Sequence, residues 1–168
     1  MARAPTWLAV ARTRLGTREA LGAANSKTIL GWAKRLGTTA LGMIYNADSV
    51  PWCGVFVASC LAEDNVDAPP IAVRAMSWAA WGQLLRPERL APGAVLVFAR
   101  EGGGHVGFYV GEDAAAYHVL GGNQGDAVTV ARILKSRCVA RRWPAGRPVI
   151  GKPVQLASKG KPVSQNET

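Results

Sequence analysis

Cysteine, histidine and acidic residues are all scarce in this 168-residue chain, and each scarcity excludes something. Three cysteines are an odd number and too few for a disulfide framework, so folding in a reducing compartment is the simpler expectation. With only two histidines, and no Cys/His pair at the close i, i+3 or i, i+4 spacing of familiar zinc motifs, no metal and no cofactor is expected. Long apolar runs are missing too. Near the start only Trp7 to Ala11 is continuous before Arg12 and Arg14 interrupt, which is too short for a secretory signal or a membrane span. No internal repeat is visible.

The shortage of acid leaves a surplus of base: 20 Lys+Arg against 11 Asp+Glu, a net charge of +9. That balance attracts polyanions of any kind without choosing among nucleic acid, anionic lipid and cell-wall polymer. No nucleic-acid-binding signature is present, so no specific nucleic-acid partner is expected. Lys135, Arg137, Arg141, Arg142, Arg147, Lys152, Lys159 and Lys161 form a late basic cluster, opposed from Arg137 onward only by Glu167.

What remains is a globular composition, 49% apolar and 18% charged, long enough for one domain with a real core. Periodicity predicts a helix over residues 6–15. A second follows the Asn25-Ser26 cap to Gly37, and a third runs from Pro51 to about Glu63. Residues 71–82 return to a helical pattern, with Trp78 and Trp81 better read as core than as a groove. After Pro92 the texture changes to short strands joined by glycine turns: 93–99, 105–111, 116–120, 127–134 and a possible fifth at 138–143. Helices first and an antiparallel sheet second is the α+β pattern. Residues 1–144 are expected to form the single domain, and 145–168 a basic, loosely packed tail.

Cys53 opens the third helix. Unpaired backbone N–H groups and the positive end of the helix dipole favour thiolate there, and thiolate is the nucleophilic form. The competing reading is a small apolar residue on a core helix, which is how Cys60 and Cys138 are read. His105 follows three glycines and opens a strand, so a helix-borne thiol can face a strand-borne imidazole. Thiol acyl transfer needs such a pair, together with a polar group that holds the ring in one tautomer. Asn123, in Gly-Gly-Asn-Gln, is preferred for that third place. His118, 13 residues past His105, and Gln124 are the alternatives. The Cys53 backbone N–H can stabilise an oxyanion, and Tyr45 and Trp52 are candidates for the oxyanion site or cleft.

Pro51-Trp-Cys-Gly-Val-Phe-Val57, Gly104-His-Val-Gly-Phe-Tyr-Val-Gly111 and Leu120-Gly-Gly-Asn-Gln-Gly-Asp126, in that order, resemble one family. It is the cysteine, histidine-dependent amidohydrolase/peptidases (CHAP) of the wider NlpC-type papain-like superfamily. Within it the chain is similar to phage endolysins and prophage proteins, over roughly residues 5–144. The resemblance implies a papain-like fold with Cys53 as nucleophile, His105 as base and acid, and Asn123 as orienting residue. It also implies cleavage of an amide in the peptidoglycan peptide or at its sugar–peptide junction. Two departures stand out. Many CHAP members carry glutamate two positions before the asparagine, where this chain has Gly121, and NlpC-type members often use a histidine on the next strand, which His118 approximates.

By that resemblance the expected partners are peptidoglycan and the anionic polymers of the envelope, and the expected state is a monomer. An enzyme made in the host cytoplasm without a signal peptide would reach the wall through a holin-type pore. Delivery as a toxin or as part of a phage tail are other routes. The non-enzymatic alternative is a basic module that grips polyanions with Cys53 as structure.

Overall fold

The computed structural model describes residues 3–167. Four helices come first: α1 (Thr6–Thr13), α2 (Lys27–Leu36), the short α3 (Thr38–Leu41) and α4 (Cys53–Ala62). Ser26 caps α2 by accepting the Ile29 N–H at 3.3 Å, and Gly37 at φ 85° closes it. α4 is buried along nearly its whole length, from Cys53 to Leu61, so it is the central helix of the layer and not a surface one.

The strands are β1 (Gln83–Leu84), β2 (Val95–Arg100), β3 (Gly103–Glu112), β4 (Ala116–Gly121), β5 (Thr129–Leu134) and β6 (Cys138–Trp143). They form one six-stranded antiparallel sheet in the order β1-β6-β2-β3-β4-β5. The chain is thus α+β, with N-terminal helices packed against a C-terminal antiparallel sheet and Cys53 at the start of α4. The core between the layers joins Trp7, Trp52, Phe56 and Leu61 to Val95, Val97, Phe108 and Trp143. Trp7 meets Trp143 edge to face at 5.2 Å and donates its indole N–H to the Gly93 carbonyl at 2.9 Å.

Residues 71–82 differ from expectation. They hold turns and a 3-10 helix, Ala75–Ala80, instead of an α-helix. Ile71 sits at φ 56°, a strained place for a β-branched residue, directly after Pro69 and Pro70. Trp78 donates its indole N–H to the Ala72 carbonyl at 3.0 Å and packs edge to face on Trp81 at 5.1 Å, so helical spacing arises here from a folded loop. That loop presses on α4. A Cβ at Gly54 would run into the Ala72 carbonyl oxygen, which explains glycine after Cys53.

Residues 145–167 contain no helix or strand, yet they are strapped to the sheet and to the end of α4 where loose packing was expected. Glu112 exchanges backbone bonds with Val154 and Leu156, Ser164 N–H donates to Arg132 at 2.7 Å, and Arg147 pairs with Asp64 at 2.9 Å. No helix is long and apolar enough to cross a membrane, and no cluster of three or more His, Cys, Asp or Glu is placed to hold a metal ion among the described residues.

Candidate active site

Cys53 and His105 arrive from opposite layers. The backbone N–H groups of Val106, from the sheet side, and of Gly54 and Cys53, from the helix side, are near enough to the thiol to favour its charged form. Val106 follows His105 on β3, so the sulfur lies beside the histidine's strand. His105 pairs with Phe98 across β2 and is fully buried.

The imidazole is held by Gln124. His105 Nε2 lies 2.9 Å from Gln124 Oε1. The glutamine's own orientation is fixed, because its amide nitrogen donates to the Thr129 carbonyl at 2.8 Å and to the Val119 carbonyl at 3.1 Å. A carbonyl cannot donate, so the amide oxygen must face the ring and accept. His105 therefore carries its proton on Nε2 and presents a lone pair at Nδ1. Nδ1 is buried with no hydrogen-bond partner among the described residues. Leaving such an acceptor unpaired costs about 1–3 kcal/mol, so its presence asks for an explanation.

Two glycines make room for this contact. A Cβ at Gly121 would lie 2.5 Å from Gln124 Oε1 and 3.3 Å from His105 Nε2, and one at Gly122 would press on the Trp52 ring at 2.7 Å. The place where a side chain at 121 would begin is occupied by the oxygen of Gln124.

The other candidates lie elsewhere. The Asn123 side chain turns away from His105 and donates to the Glu167 carbonyl at 3.4 Å, its backbone in the left-handed region at φ 60°. The contact expected of Asn123 is thus made by its neighbour. His118 is spent at the far end of the sheet, where Nε2 meets Asp113 at 2.8 Å. Arg132 pairs with the same carboxylate at 2.8 and 3.0 Å and holds it well below the usual carboxylate range. Tyr45 donates its hydroxyl to the Val50 carbonyl at 2.7 Å, which commits its proton. Burial, with the charges of Asp48 and Glu19, pushes its phenol up. Trp52 is core, and its indole N–H goes to Glu19 at 2.7 Å.

Burial dominates the electrostatics. It pushes the Cys53 thiol up, against the backbone donors and Arg100, and it lowers His105 to about 4, against the hydrogen bond to Gln124 and the charge of Glu167. A helix start offers an anion at most about 2 kcal/mol, whereas removing a charge from water costs several. Burial therefore opposes the thiolate that the helix start favours at Cys53, and it opposes the imidazolium at His105.

Arg137 and Glu167 are the residues that reasoning from sequence left out of the site. Arg137 forks onto the Glu167 carboxylate at 2.6 and 3.1 Å, and both their charges act on His105. The available signal was Glu167's isolation as the sole acid after Arg137.

Compared with protein-family models and with curated proteins, the chain matches none.

Proposed function

We propose that this protein is a papain-like cysteine amidohydrolase of the CHAP/NlpC kind, an endolysin-type enzyme that opens amide bonds in peptidoglycan. The observation that carries this reading is the free, buried Nδ1 of His105 on a ring locked by Gln124, one residue along the strand from Val106, whose N–H lies near the Cys53 sulfur.

In this mechanism His105 Nδ1 takes the thiol proton as Cys53 Sγ attacks the substrate carbonyl carbon. The Cys53 backbone N–H stands by the oxygen that gains charge. Nδ1–H then protonates the departing amine nitrogen, the C–N bond breaks, and a thioester remains. Water attacks it with His105 again as base, releasing the new carboxylate and restoring the thiol. Gln124 is the positioning residue, and Asn123 leaves that role. The missing glutamate at Gly121 fits the same reading, because Gln124 Oε1 fills the space beside Gly121.

The late basic cluster supports wall binding less than its charge suggests. Arg137, Arg147 and Lys135 are engaged with Glu167, Asp64 and Glu112, which leaves Lys152, Lys159 and Lys161 as the exposed bases of the strap. The test is digestion of purified cell walls with mass spectrometry of the released fragments. The native protein should yield fragments with one new amine and one new carboxylate per cut. A folded Cys53→Ala protein should yield none, and wall digestion at the native rate by that variant would reject the reading.

A further inference from the structure

The candidate nucleophile and base are both shut off from solvent: Cys53 is 4% exposed and His105 0%. That burial leaves little of either residue open to a polymer. α4, β3 and the 121–126 turn are the frame of the site, tied into the core. Residues 161–167 are not. They have no regular structure, and polar bonds hold them: Arg132 to the Lys161 carbonyl at 2.6 Å, Arg137 to the Ser164 carbonyl at 3.1 Å, and Asn123 to the Glu167 carbonyl.

Their most deeply set group is a carboxylate. The Glu167 side chain is 0% exposed, gripped by both terminal nitrogens of Arg137 and by the Ser164 hydroxyl at 2.6 Å. Arg137 is fixed in turn by its Nε–H to the Ala99 carbonyl at 3.0 Å, on the strand residue next to Phe98, which pairs with His105. Arg100 stands close by, bonded to the Gly104 carbonyl at 3.1 Å. A part-buried guanidinium fork of this shape is suited to a planar carboxylate.

We propose that Arg137 is a carboxylate subsite of the substrate cleft and that residues 161–167 are its internal occupant, with Glu167 standing where an acidic residue of the substrate peptide binds. The inference rests on the reading of Cys53 and His105 as the reacting pair. An incoming acidic peptide displaces the strap by taking over its ion pair, so the enzyme stays covered until a matching substrate arrives. The exchange costs little because one carboxylate replaces another on the same arginine and no large core side chain is withdrawn.

Alkylation of Cys53 by iodoacetamide, located by mass spectrometry in the full chain, tests this. Cys60 and Cys138 serve as internal references. Glu167→Ala should speed labelling at Cys53 by about tenfold or more, the scale of one charged hydrogen bond, and leave the references unchanged. Glu167→Gln, which keeps the volume, should move the same way. In the Glu167→Ala protein, N-acetylglutamate should slow labelling and N-acetylglutamine should not, and adding Arg137→Met should abolish the difference. Native labelling rates in both Glu167 variants would overturn the covering role. Equal effects of the two probes would overturn the carboxylate subsite. None of these rates requires turnover, so they are judged separately from the wall-digestion result.

Discussion

The two histidines of this chain sit toward opposite ends of the same strand pair and are treated in opposite ways. At the β3–β4 connection, His118 meets an ionised Asp113 that Arg132 also grips in a forked pair, so its bonded nitrogen serves a closed ion cluster. Toward the other end, His105 receives one neutral partner, Gln124, and keeps a buried lone pair with nothing to bind. A cluster in which each charge is matched holds a turn in place. An imidazole fixed on one side and open on the other is arranged to accept a proton. Each ring makes one hydrogen bond through Nε2, and they differ in the partner: an ion-paired carboxylate for His118 and a neutral amide for His105.

The sharpest way to break this contrast is to remove each ring. His105→Ala should lower wall hydrolysis by about 10²–10⁴-fold, the usual worth of a positioned base. His118→Ala should leave the rate within about threefold and lower the melting temperature by a few degrees. A dead His118→Ala protein that is still folded would move the chemistry to the wrong end of the sheet.

A second comparison sets Gln124 against Asn123. Gln124→Ala should cost roughly 10–100-fold in rate, because the ring loses its tautomer and its orientation. Asn123→Gly, which suits the left-handed backbone, should change the rate by no more than about threefold. Gly121→Ala should resemble Gln124→Ala while leaving the glutamine in place, since its Cβ would fall on Gln124 Oε1. Rate profiles for the three variants decide which of the neighbouring amides holds His105.

These pairs also mark how far the sequence was legible. The helix bearing Cys53, the strand bearing His105 and the α+β order could be read because each rests on local pattern: a cap, an alternation, a glycine turn. Choosing between Asn123 and Gln124 could not. Adjacent residues of a turn point in different directions, and the left-handed φ of Asn123 that decides which one faces His105 leaves no mark on composition. The 71–82 segment misled because Trp78 and Trp81 keep helical spacing while Ile71 turns the chain the other way. The strap was hidden for another reason. Its anchors, Arg137 with Glu167 and Arg132 with Lys161, are contacts across the fold and carry no periodicity.

The smallest expected effect concerns acid stability. Burial lowers His105 to about 4 from its ordinary 6.5, so the unfolded chain takes up the proton first as pH falls. Its contribution is complete above pH 6.5, is lost progressively below that, and is gone by about pH 4. Glu167, held low by Arg137 and Ser164, acts in the same direction at lower pH, giving stability above the ordinary carboxylate range that is lost on acidification. Melting curves from pH 7 to pH 4 should therefore fall more steeply for the native protein than for His105→Gln. Parallel curves would mean that His105 is solvated in solution.

Because the chain has only two histidines, nitrogen-15 NMR of the imidazole rings at pH 7 reads the decisive feature directly. The Gln124 contact predicts that His105 carries its proton on Nε2 and leaves Nδ1 bare, as the proposed proton transfer from Cys53 requires. A His105 ring protonated on Nδ1 would leave no base beside Cys53 and would contradict the account.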